Sequence, residues 1–234
     1  MKIQFYIRFQ TQYGEKLFVS GDVEELGSND ATKALPLEYL NSEFWTGTIN
    51  VKKKDFSKGV SYRYILQGED GSQTIETCRE RQVDFYKKET ESIQLVDTWN
   101  YAGDFENAFY TTPFKNVLLN TSIPKVRKQD DKIFSHVFKV KAPLLKKNEV
   151  LCLIGSDEKL SEWSTKKPLL LSKYSAWWMI KLDLSNAGFP IAYKYGVFDT
   201  KEKIFIRFEE GNNRFLYTDS GKKKLTIVHD GFVH

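Results

Sequence analysis

Only three histidines, two cysteines and two methionines occur among 234 residues, and the scarcity removes several chemistries at once. His136, His229 and His234 are accompanied by no Gly-x-Ser-x-Gly elbow, no Cys/His pairing and no cluster at metal-ligand spacing. No Gly-rich loop of the kind that cradles phosphate is present. An enzyme built on any of these devices is excluded, and no cofactor is expected. Cys78 and Cys152 are far apart, which makes a reduced, cytoplasmic chain the default. No stretch approaches a membrane span, and the opening MKIQFYIRFQ alternates instead of forming an apolar signal core, so no membrane partner is expected. Neither sign of charge dominates. With 35 basic and 31 acidic residues the net charge is +4, too even for a polyanion partner, so no nucleic acid is expected. Lys52-Lys53-Lys54 and Lys222-Lys223-Lys224 read as solvated strand ends or turns.

What the chain does have is a hydrophobic period of two. Ile3, Phe5, Ile7 and Phe9 alternate with Gln4, Tyr6 and Arg8, and the habit returns in residues 48–51, 62–66, 92–96, 150–154, 178–184, 191–197, 203–208 and 225–228. Clusters such as Gly68-Glu69-Asp70-Gly71 and Glu210-Gly211-Asn212-Asn213 bound these segments. Many short strands with regular turns predict an all-β fold of immunoglobulin-like antiparallel sandwiches.

The pattern also occurs twice. Phe18-Val19-Ser20-Gly21 with Leu26 corresponds to Leu153-Ile154-Gly155 with Leu160. Phe44-Trp45 corresponds to Trp177-Trp178, Tyr62-Arg63-Tyr64 to Tyr193-Lys194-Tyr195, and Ile75-Glu76 to Phe208-Glu209. The offsets stay within 131–134 residues, which predicts two homologous sandwiches, 1–99 and 132–230. The segment 100–131 between them holds Tyr101, Phe105, Phe109, Tyr110 and Phe114, too apolar for a free linker, and is expected to pack on the sandwiches. The stop at His234, without a tail, suggests a fragment of a longer polypeptide.

Aromatic residues make up 15% of the chain, which leaves rings available for a surface. Trp163 lies in a polar loop after strand residues 150–154. Trp177 and Trp178 are adjacent at a strand start, so one of them should face outward. Phe208 ends a strand before a Gly/Asn turn. Each alone reads most simply as packing. Taken with Lys194, Glu209 and Asn213, they put flat apolar rings beside hydrogen-bonding groups, which suits the apolar face and the hydroxyls of a pyranose. Glu209-Glu210 do not make a glycosidase pair, because neighbours on a strand point to opposite faces.

At these residues each repeat resembles a starch-binding domain of carbohydrate-binding module family 20. The second repeat carries the likeness in Gly155 to Trp163, Trp178, Tyr193-Lys194-Tyr195 and Phe208-Glu209-x3-Asn213-Arg214. The first carries it in Gly21, Leu26-Gly27, Trp45, Tyr62-Arg63-Tyr64, Ile75-Glu76 and Asp97-Thr98-Trp99. The resemblance implies two glucan sites per domain. The first site maps onto Trp163, Phe208, Lys194 and Asn213 in the second repeat. The corresponding places in the first repeat are Asn29, Ile75 and Arg63, which have lost both rings. The second site maps onto Tyr13 with Trp45 and Tyr39 in the first repeat and keeps Trp178 in the other.

Two such modules in tandem are similar to the front of cytosolic disproportionating 4-α-glucanotransferases of glycoside hydrolase family 77. In those enzymes the modules precede a catalytic domain that is absent here. The resemblance implies a non-catalytic binder of starch, glycogen or maltooligosaccharide that targets such a catalytic domain, its partner in the same polypeptide. A β-sandwich scaffold for protein interaction without sugar affinity is the alternative, and binding of nucleic acid on aromatic strands is the weakest.

Overall fold

The structure is a computed structural model that describes residues 1–52, 59–76, 81–83, 89–101, 103–111, 113–114, 124, 126, 128–142, 144–217 and 223–233. Cys78, Lys53, Lys54, Lys222 and His234 lie outside the described residues. The chain divides into two compact units. The first comprises Met1–Asp104 with Lys223–His229, and the second Phe105–Lys222 with Asp230–His234.

Strand alternation builds the first unit. In β1 (Lys2–Arg8), Ile3, Phe5 and Ile7 are buried while their neighbours are not. One sheet has the order β4 (Glu38–Tyr39), β5 (Phe44–Asn50), β1, β9 (Ser92–Thr98), and residues 224–229 of β18 (Lys224–Phe232) extend it by pairing with β9. The β1–β9 and β9–β18 pairs are parallel, while β1–β5 and β4–β5 are antiparallel. The other sheet runs β3 (Leu35–Pro36), β2 (Lys16–Gly21), β6 (Val60–Gln67), β7 (Gln73–Ile75), with β8 (Arg81–Val83) also on β6. Leu17, Val19, Tyr62 and Tyr64 bring its inner face into the core.

The second unit repeats the plan. β10 (His136–Lys141), β14 (Trp177–Leu182) and β13 (Ser172–Tyr174) form one antiparallel set. The other sheet is β12 (Leu169–Leu170), β11 (Glu149–Gly155), β15 (Ile191–Asp199), β16 (Ile204–Phe208), with β17 (Arg214–Leu216) also on β15. Tyr110, from the aromatic stretch after the first repeat, belongs to this unit. The Lys141 ammonium lies 4.9–5.2 Å from the ring centres of Tyr110, Trp177 and Phe232, a cation–π cage that holds Tyr110. Burial of Cys152 in β11 pushes its thiol up to about 12, so it is an inert packing group.

The repeated Tyr-x-Tyr motif has a physical role that alternation alone does not reveal. Tyr62 and Tyr64 point inward from β6, and both donate hydrogen bonds to Asp97 Oδ2, at 2.9 and 2.6 Å. Arg81 donates to Asp97 Oδ1 at 3.2 Å and forks onto Glu76, and His229 Nδ1 lies 2.5 Å from the same Asp97 oxygen. In the second unit Tyr193 and Tyr195 donate to Asp230 Oδ2 at 2.9 and 2.8 Å, and Arg214 Nη2 donates to Glu209 Oε2 at 2.8 Å. Buried ionic groups are tolerable only with this degree of pairing. With both tyrosines anchored inward, the residue between them, Arg63 or Lys194, is turned to the outer face.

Gly21 and Gly155 each let a leucine fold back over the strand end. A Cβ on Gly155 would sit 2.6 Å from both Leu160 Cδ1 and the Ala192 carbonyl oxygen. The carbonyl belongs to the paired strand and cannot yield, so Gly155→Ala is expected to destabilise the second unit by about 1–3 kcal/mol. Urea unfolding of the variant beside the parent chain checks this.

Candidate functional site

The outer face of β15 carries the main constellation. Residues directly opposite in an antiparallel pair share a face, and residues two apart on one strand do too. Phe208 is opposite Gly196, so Phe208 and Lys194 share the outer face, while Tyr193 and Tyr195 take the inner one. A Cβ on Gly196 would lie 2.4 Å from Phe205 Cε2, so glycine is what lets the Phe205 ring settle there. Phe205 in turn backs Phe208, with ring centres 4.6 Å apart, and Phe208 remains 37% exposed.

Lys194 Nζ donates to the Gly211 carbonyl at 2.6 Å, which ties it to the turn that holds Asn213. Gly211 has a φ of +81°, a conformation that favours glycine and makes this turn tight. An ammonium has three donors, so two remain for a ligand oxygen. Asn213 is exposed.

Trp163 reaches the surface by a different device. Its loop leaves β11 at Gly155 and is closed onto β15 by the Ser156 N–H, which donates to the Ala192 carbonyl at 2.8 Å. Ser161, Glu162 and Trp163 then take φ values of +66°, +46° and +60° in succession. Left-handed backbone is a genuine outlier for a bulky residue and is stored where surrounding contacts over-determine it. Those contacts are present. Ser161 Oγ donates to the Lys167 carbonyl at 2.8 Å, Ser164 N–H to the Ser161 carbonyl at 2.7 Å, and Asp157 accepts the Lys159 N–H at 2.9 Å. The first unit has the same backbone at Gly27, Ser28 and Asn29, with φ of +82°, +52° and +67°. There Gly27 and Asn29 suit the left-handed conformation, and Asn29 stands where Trp163 stands. Trp163 is half-buried.

The first unit offers other rings. Tyr13 is 96% exposed in the turn between β1 and β2, above Gly14, whose φ is +84°. The Glu15 carboxylate accepts the Gln12 N–H at 2.6 Å, and the Glu69 side chain lies close under Gly14. Tyr13, Gly14, Lys16, Gln67, Gly68, Glu69 and Gly71 line a shallow concavity. Tyr39 is also exposed and meets Trp45 edge-on, with ring centres 5.6 Å apart.

Three expected contact residues are corrected by their burial. Trp178 is 2% exposed, because the phase of β14 turns Trp178, Ile180 and Leu182 inward and Trp177 outward. Lys173 covers its ring, with Nζ 5.2 Å from the ring centre. Trp45 is buried beneath Tyr39, which leaves Tyr39 as the accessible ring of that pair. Glu209 is buried too. It accepts from Arg214 and from the Tyr195 N–H at 2.9 Å, so its carboxylate is a structural anchor for the turn. Lys194, Phe208 and Asn213 are brought together around one strand face and its turn. Sequence reading passed over Phe205, Phe215 and Tyr217. The signal for the last two was the alternation Phe215-Leu216-Tyr217, with Leu216 buried between exposed rings.

The chain is 26% identical to 4-alpha-glucanotransferase DPE2 of Oryza sativa subsp. japonica over 97% of its own length, and it spans a quarter of that relative. Among solved structures it is similar to a glycoside hydrolase family 15 glucoamylase from Hypocrea jecorina, at 27% identity and a TM-score of 0.37. That likeness covers 43% of this chain and 17% of the glucoamylase. It is also similar to the family 20 module of a maltotetraose-forming amylase from Pseudomonas saccharophila, at 13% identity and a TM-score of 0.34, over 40% of this chain and 97% of the module. The starch binding domain family matches residues 1–94 and again 134–228. The chain therefore belongs to the starch binding domain family, with one copy of the domain in each half.

Proposed function

We propose that the chain binds α-1,4-glucan at two surfaces of different make. In the second unit Trp163 and Phe208 are the platform, and Lys194 and Asn213 hydrogen-bond the hydroxyls. In the first unit Tyr13 and Tyr39 take the sugar. The observation that carries this reading is the left-handed backbone of Trp163 at a position where the homologous unit has Asn29. A fold that only needed the loop would place a tolerant residue there, so the indole is held for what it touches in solvent.

The reading extends to the whole polypeptide. Similarity over nearly the full chain to a quarter of a plant 4-alpha-glucanotransferase supports a targeting role. In this role the modules hold starch, glycogen or maltooligosaccharide near a glucanotransferase domain of the same polypeptide, in the cytoplasm. In this reading the two units bind and the catalysis belongs to the other domain. Two modules on one polymer raise the apparent affinity well above that of either.

Sedimentation with insoluble starch tests the binding. The parent chain is expected in the pellet, and a chain carrying both Trp163→Ala and Tyr13→Ala in the supernatant. Equal recovery of the two proteins in the supernatant would overturn the reading. The ligand is uncharged, so maltoheptaose affinity is expected to change less than about twofold between 50 mM and 500 mM salt. Binding through phosphates would fall by orders of magnitude.

A further inference from the structure

The outer face of β15 continues past Phe208 toward its N-terminal end. β17 pairs with β15 so that Leu216 is opposite Ile191 and Phe215 is opposite Ala192. Leu216 and Ile191 are buried, which puts Phe215 on the outer face with Lys194 and Phe208. Tyr217 follows two residues on. The two rings stack, with centres 6.0 Å apart and planes 23° apart. They are 40% and 56% exposed, so the stack does not bury them. Along β15 their register position, Ala192, is four residues from Gly196, opposite which Phe208 lies. At a strand rise of about 3.3 Å per residue, the register positions of Phe215 and Phe208 are about 13 Å apart along β15. Lys194 lies between the two register positions, and Ala192 raises no bulk beside Phe215.

We propose that Phe215 and Tyr217 form an additional aromatic subsite for the part of an α-1,4-glucan that runs beyond the Trp163–Phe208 platform. This rests on the reading of that platform as a glucan site. The chemistry is the same: flat rings for the sugar's C–H face, and the Tyr217 hydroxyl as a donor and acceptor for its edge. The consequence is selection by chain length. A short oligosaccharide is held by the platform alone, whereas a longer one reaches both sets of rings. Among the described residues, the first unit's Ser72–Glu76 and Arg81–Val83 stretches carry no aromatic residue.

Calorimetric titration with maltotriose and with maltoheptaose tests the proposal in four proteins. The parent chain is expected to bind maltoheptaose about fivefold or more tightly than maltotriose. A chain with Phe215→Leu and Tyr217→Leu, which keeps apolar bulk on the strand, is expected to lose that ratio. Trp163→Ala is expected to lose binding at the second unit for both sugars. If the leucine variant keeps the parent's ratio, the subsite is wrong while the platform stands. If Trp163→Ala binds both sugars as the parent does, the platform itself is wrong and the subsite falls with it. Phe215→Tyr retains a ring and is expected to keep the ratio, which separates a lost stacking surface from a distorted strand.

Discussion

Replacing Trp163 by asparagine is expected to weaken glucan binding at the second unit and to stabilise the fold at the same time. A stacked base contributes about 1–3 kcal/mol in nucleic-acid complexes, and a sugar on an indole belongs toward the low end. The expected loss is therefore about fivefold to a few tens of fold in affinity for maltoheptaose. The gain in stability comes from the backbone. Asparagine accepts φ near +60° far better than tryptophan, and Asn29 already occupies the matching position in the first unit. Relief of that strain is expected to raise stability by about 1 kcal/mol. Titration calorimetry and thermal unfolding of the same sample read both effects. An asparagine variant that binds as the parent does would remove the role assigned to the indole. One that loses binding together with stability would mean the ring is a packing group.

The second large effect lies in the core. Asp97 receives Tyr62, Tyr64, Arg81 and His229, and its loss as a charge removes one of the two carboxylates that pair with the buried Arg81. Breaking a buried pair on one side costs about 3–5 kcal/mol, which is a large share of a typical domain's stability. Asp97→Asn is expected to fall in that range. Asp230→Asn is expected to cost less, because Arg214 lies 3.5 Å from the Asp230 carboxylate, against 3.2 Å between Arg81 and Asp97, and is less deeply buried than Arg81.

The same network sets the response to acid. Burial acts to raise the Asp97 carboxyl, but the neighbouring Arg81 and His229 more than offset it and hold the group well below the usual carboxylate range. An acid whose folded value is depressed contributes its full stability above the unfolded value, near pH 3.9, and loses it as pH falls through the folded one. Urea midpoints of the parent chain should therefore fall below about pH 4. The Asp97→Asn variant should start lower and show a shallower decline there. An identical pH profile for the two proteins would show that Asp97 is not the group being protonated.

Strands were legible in the sequence because alternation is a direct print of one buried face, as Ile3, Phe5 and Ile7 illustrate. The duplication was legible for a similar reason, since both copies need the same inward tyrosines and the same strand-end glycine. The phase of a strand with two adjacent tryptophans was not. Whether Trp177 or Trp178 points inward depends on the opposing sheet, and Trp178 is the one buried. Glu209 misled for another reason. Its partner Arg214 sits five residues away across a turn, and only the folded turn brings guanidinium to carboxylate. The left-handed run at Ser161-Glu162-Trp163 leaves no mark in composition or period, although the glycine-serine-asparagine run of the first unit hinted at it. Phe215 and Tyr217 were readable as an alternating pair and were passed over because the family motif ends at Arg214.

The central claim is that the Trp163 indole and the Phe208 ring are the surface on which glucose units lie. A crystal structure of the chain soaked with maltoheptaose tests it most directly. The account predicts sugar rings stacked on Trp163 and Phe208, with hydroxyls in hydrogen-bonding reach of Lys194 Nζ and Asn213. Maltoheptaose bound elsewhere on the second unit, with Trp163 and Phe208 bare, would contradict it.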